Sequence, residues 1–195
     1  MASKLTQLAQ QKTASDLQTM SRDSLNWLAK RIGEMRNPGS ISAGITGEDF
    51  RHISKFRLGG LYFFCYDAKT KDKLPYWDKF PLVLALERYN DGFLGLNLHY
   101  LPLKYRVAFL DKLMDYAIQG DAGEILSMRV TYDILNASKR LKEFKPCVKR
   151  YLTGQIQSRM LAIQPNEWDI AAFLPVQNFV KAPAAKVWQE SLEKI

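Results

Sequence analysis

A chain of 195 residues, 47% hydrophobic and 25% charged, can bury a sizeable core and has the composition of an ordinary globular protein. No window approaches the roughly 18–20 consecutive apolar residues of a membrane-spanning helix, and the start, MASKLTQLAQQKTASD, lacks the apolar middle and cleavage site of a secretory signal, so a protein that folds where it is made is expected. Twenty-eight Lys and Arg against 20 acids give a net charge of +8 and a pI near 9.4, which favours anionic partners by long-range attraction.

Along the chain, Leu17, Met20, Leu28, Ile32 and Met35 recur at helical spacings between charged residues, so residues 1–37 read as an amphipathic helical arm. Asn37-Pro38-Gly39-Ser40 breaks it, and residues 38–57 read as a linker into a core domain over residues 58–195. Leu61 to Tyr66 is an aromatic-rich strand. Leu82–Leu86 and Phe93–Leu98 flank Asn90-Asp91-Gly92 as a hairpin, with glycine placed where a positive φ is tolerated. Pro102 opens a helix whose apolar stripe is Leu103, Val107, Leu110, Met114 and Ala117, stopped by Gly120. A second helix is expected over 125–138 and a third from Cys147, carrying Val148, Tyr151 and Leu152. Arg159 to Ile163 reads as a fourth strand, and 184–195 as a closing helix. The fold class is therefore α+β: a small antiparallel sheet, open or curled into an SH3-like barrel, packed by several helices and preceded by the arm.

No catalytic constellation stands out. Asp111 with Asp115, and Glu167 with Asp169, are spaced as acid–base pairs can be, but Asp111 and Asp115 fall beside Lys112 on a solvated helix face, and no pocket signature accompanies either pair. His52 and His99 cannot form a three-ligand zinc site, and His99 reads as a hydrogen-bonded partner of a neighbouring loop. Cys65 and Cys147, far apart and outside any metal spacing, read as buried thiols of a reducing compartment. No cofactor, metal or small-molecule substrate is called for.

The densest basic run is Lys139, Arg140, Lys142, Lys145, Lys149, Arg150 and Arg159, with Glu143 the single acid among them and Phe144 and Tyr151 interleaved. Such a run can neutralise nucleic-acid phosphates, and equally can be a solvated face or a dock for an acidic protein. Tyr62, Phe63, Phe64, Tyr66, Tyr76 and Trp77 can stack bases as sheet-based readers of single strands do, but core filling is the favoured reading, because alternating aromatics on short strands build small cores. Leu17, Leu28 and Ile32 on the arm, with Tyr76 and Trp77 in the segment LPYWDKFPLV, are candidate protein-interface residues.

Leu74 to Val83, Gly92 to Pro102, FKPCVKRYL over 144–152 and EWDIAAFLP over 167–175 resemble a small virion protein of contractile-tailed bacteriophages, a family often labelled DNA end protector. The resemblance covers most of the chain from Leu58 onward. It implies a non-enzymatic structural protein of the virion, made in the host cytoplasm, that binds the double-stranded ends of the packaged genome and shields them from exonucleases. No catalytic residues come with it. The alternative is a tail, neck or baseplate assembly component that meets other virion proteins through the arm and the Tyr76-Trp77 loop and touches neither DNA nor membrane.

Overall fold

The computed structural model describes residues 14–36, 56–107, 109–110 and 146–193. The expected helix over 125–138, the linker up to residue 55, and Asp111, Asp115 and His52 lie outside them. The described elements are α1 (Ala14–Arg36), β1 (Leu61–Phe63), β2 (Trp77–Asp78), β3 (Leu82–Tyr89), β4 (Gly92–Asn97), β5 (Val148–Leu152), β6 (Leu161–Ile163), α2 (Trp168–Ala172), β7 (Phe179–Val180) and α3 (Ala184–Glu193). Residues 103–107 are also helical, where Pro102 was expected to open a helix. No helix among the described residues is long and apolar enough to cross a membrane.

Five strands form one antiparallel sheet in the order β5-β4-β3-β1-β6, and β2 pairs separately with β7. Strand alternation sorts the apolar residues onto two faces. Leu61, Phe63, Leu82, Leu84, Leu96, Leu161 and Ile163 face the helices, where they meet Leu28 of α1, Trp168 and Ala171 of α2 and Val187 of α3. Tyr62, Phe64, Val83, Ala85, Phe93 and Tyr151 face the other way and form an aromatic second core with Phe56 and Tyr66. The Phe93 and Tyr151 rings stack at 5.4 Å, and Tyr66 meets Tyr151 edge-on at 5.0 Å. The rings of Leu61–Tyr66 are thus core residues, as their alternation suggested. The sheet curls over this second core through a bulge in β3 between Ala85 and Glu87 and a single antiparallel bridge between Tyr66 and Ile156. The described strands do not close into a barrel, because the order ends at β5 on one side and β6 on the other.

Three local expectations change. Val148 to Leu152 is strand β5 rather than a helix: the 148, 151, 152 spacing suits a helix, but the segment lies along β4 from Leu96↔Val148 to Gly92↔Leu152, and that ladder satisfies its backbone. At the β3–β4 hairpin, glycine is required for space rather than for φ. Among the described residues Gly59, at 76°, is the glycine with positive φ, whereas a Cβ on Gly92 would sit 1.9 Å from the Tyr151 carbonyl oxygen. Finally, α1 docks on its own core. Ser24, Trp27, Leu28 and Arg31 share one helix face: the Ser24 hydroxyl reaches the Ile170 carbonyl at 2.9 Å, Trp27 Nε1 donates to Glu167 at 3.0 Å and Arg31 pairs with Glu167 at 3.4 Å. Leu28 is therefore core, not an outward interface residue, whereas Ile32 is exposed with Leu25. Glu167 divides its oxygens between this docking and the Gln164 N–H of a capping box, and Asp169 accepts the Ile170 N–H, so both carboxylates have structural partners.

Candidate nucleic-acid interface

The proline-bracketed segment around Trp77 is organised by one carboxylate. Asp78 is 3% exposed, and its Oδ2 accepts from Asn97 Nδ2 at 3.1 Å and pairs with His99 Nδ1 at 2.7 Å. Its Oδ1 accepts the backbone N–H groups of Phe80 at 3.1 Å and Asn178 at 3.2 Å. A buried carboxylate persists only when its lone pairs are filled, and here four donors fill them. Burial is the larger influence on His99 and holds its imidazole below the usual pKa, against the opposing pull of Asp78, so the ring is neutral with its Nδ1 proton directed at Asp78. Arg106, also buried, donates to the carbonyls of Leu98 at 3.2 Å and Leu174 at 2.9 Å; burial lowers its guanidinium to about 10, although Asp78 favours the charge. His99 is thus hydrogen-bonded, as its sequence position suggested, although its partner stands in the short strand β2 rather than in a loop.

This network fixes a cluster of rings, of which Tyr100 and Phe179 are buried and Tyr76 is half-buried. Tyr100 lies 5.0 Å from Phe179 and 6.0 Å from Tyr76, whose hydroxyl donates to Glu190 at 2.8 Å. Partial burial, with that carboxylate, pushes the Tyr76 phenol up to about 12, so it stays protonated. Trp188 Nε1 donates to the His99 carbonyl at 2.8 Å and ties α3 to the same corner. Across from the rings runs β5, the sheet edge, which carries the cations. Lys149 places its ammonium 4.4 Å from the centre of the Tyr100 ring. Arg150 stacks on Tyr89 at 3.7 Å and pairs with Asp91, which holds its guanidinium at the exposed hairpin tip.

Between these parts lies an open cavity of about 340 Å³, whose wall includes Tyr76, Trp77, Tyr100, Lys69, Lys149 and Arg150. Two groups of residues that the sequence offered for different tasks, the Tyr76-Trp77 pair and the Lys149-Arg150 pair, therefore share one wall. Arg159 does not join them: it lines a separate cavity of about 510 Å³ with Ile32, Phe63, Cys65 and Leu161. Lys139, Arg140, Lys142 and Lys145, and the Leu17 side chain, lie outside the described residues. Cys147 is buried and its thiol is pushed up to about 12 by burial, whereas Cys65 is half-exposed at the second cavity, so only one of the two cysteines is sealed.

Lys69 and Lys181 were missed. Lys69 belongs to the run Lys69-Thr70-Lys71-Asp72-Lys73, whose charge beside an aromatic segment was a usable signal. Lys181 gave none: its ammonium sits 5.7 Å from the Trp77 ring and bonds the Lys71 and Leu74 carbonyls at 2.6 and 3.2 Å, contacts made only because β7 pairs with β2. Among the described residues no group of three or more His, Cys, Asp or Glu side chains is arranged to hold a metal ion.

An α+β scaffold here sets cations and two partly exposed rings, Tyr76 and Trp77, around one open cavity, which offers both positive charge and an aromatic surface. The chain belongs to the Phage T4 terminal DNA protecting protein family, whose model matches residues 6–191. By family it is a phage DNA end protector, as the sequence runs resembled. No curated protein and no solved structure matches it significantly.

Proposed function

We propose that the protein acts in the virion as a non-enzymatic shield, holding the double-stranded ends of the packaged genome through the β5 face. The observation that carries this reading is that Lys149 and Arg150, successive residues of the edge strand β5 on its opposite faces, both line a cavity walled by Tyr76, Trp77 and Tyr100. Cations on an edge strand can follow a phosphate backbone without sequence readout, which suits a protein that must accept any duplex end. Lys139, Arg140, Lys142 and Lys145 precede β5 directly in sequence and would extend the same basic run. Arg159, on its separate cavity, is a weaker member of that set.

The test is exonuclease digestion of linear duplex with and without the purified protein. Protection of linear DNA is expected, and digestion indifferent to the protein removes the reading. Lys149→Glu combined with Arg150→Glu should reduce the salt dependence of binding by about two units in log affinity per log salt, at about 0.9 per lost phosphate contact. An unchanged slope would take the contact away from β5.

A further inference from the structure

The cavity beside β5 has three properties that a flat basic patch does not need. Its volume, about 340 Å³, lies at the low end of the roughly 300–1,000 Å³ of small-ligand sites, so a duplex cannot enter it but a single nucleotide can. Its rings come paired with cations: Lys149 stands 4.4 Å from Tyr100 and Lys181 stands 5.7 Å from Trp77. A nucleotide carries a flat base one sugar away from a phosphate, which is the matching pair of features. The acid in the wall, Asp78, is 3% exposed, with its oxygens bonded by four donors and the Arg106 charge nearby, so its repulsion of an incoming phosphate is reduced.

We propose that this cavity takes one unpaired nucleotide at the end of a DNA strand, its base against the partly exposed Tyr76 and Trp77 and its phosphate beside Lys69 and Lys149. The inference rests on the DNA-end reading above and deepens it. A base inside a duplex is stacked on both sides, whereas a terminal base loses only one stacking partner and one pair on leaving, so ends are where such a pocket can be filled at small cost. The pocket would thereby distinguish an end from the interior of the same duplex, which phosphate contacts alone do not.

The experiment compares binding of the full-length protein to three duplexes of equal length: one with a single-nucleotide overhang, the same duplex with that overhang abasic, and one whose ends are closed by hairpins. Removal of the terminal base should weaken binding by about 5- to 150-fold, as expected for loss of one base–aromatic stack. Trp77→Ala should weaken the overhang duplex similarly and make the protein indifferent to the abasic change, while Trp77→Phe, which keeps a ring, should restore the discrimination. Equal affinity for the normal and abasic overhangs would overturn the pocket assignment. If the protein also fails to protect any linear duplex, the DNA-end reading falls with it; protection that persists without base discrimination removes only the pocket.

Discussion

Asp78 and His99, 21 residues apart, meet at 2.7 Å with both side chains sealed from solvent. Asp78 stands in the short strand β2 and His99 just beyond β4, so this contact fastens the ring-bearing segment to the main sheet. Replacing Asp78 by Ala would strand the amides of Phe80 and Asn178, the Asn97 side chain and the His99 ring in a dry interior. A loss of about 3–5 kcal/mol is expected, read from the midpoint of a urea or guanidinium transition. Asp78→Asn, which keeps an oxygen acceptor, should cost less.

The same pair makes stability depend on pH. His99 has a folded pKa below its ordinary 6.5, so under mild acid the unfolded chain takes up a proton that the folded chain refuses. Stability from this residue is complete above about pH 6.5 and declines as pH falls from there toward the lowered folded value, by up to about 1.4 kcal/mol per pH unit. Denaturation curves at pH 7.5 and 5.5 should show this slope in the parent protein and a shallower one in His99→Gln. Equal slopes would mean that the imidazole is already charged in the folded state.

Gly92 offers a test of how β5 is held. An added Cβ would lie 1.9 Å from the Tyr151 carbonyl oxygen, a backbone atom that cannot swing away. Gly92→Ala should therefore cost about 1–3 kcal/mol and push β5 from β4, and nuclease protection should fall even though no cation is removed. The Gly154→Ala control, where a Cβ meets nothing within 4 Å, should leave both unchanged.

The docking of α1 can be tested at Trp27, which packs on the core and donates to Glu167 at 3.0 Å. Trp27→Ala is expected to cost about 2–3 kcal/mol, less than full burial would give because the ring is only partly covered. Limited proteolysis should then cut within α1 before it cuts the sheet. Unaltered cleavage would show that the arm is held elsewhere.

The hairpin of β3 and β4, strand β1, the strand near Ile163 and the closing helix were legible because their signals are local: alternation, turn residues and caps act within a few positions. The basic charge and the runs that resemble an end protector were equally plain, because neither depends on how the chain is folded. Only the tertiary structure decided the rest. Val148 to Leu152 satisfies a helical and a strand pattern alike, and the free edge of β4 chose between them. Leu28 was one apolar residue on an amphipathic helix until α2 and the sheet covered it. Tyr76 with Trp77 and Lys149 with Arg150 lie some 70 residues apart in sequence. Their common cavity forms where Asp78 gathers the Phe80 and Asn178 amides and the Asn97 and His99 side chains, three of them 19 to 100 residues away, a convergence that residue spacing does not encode.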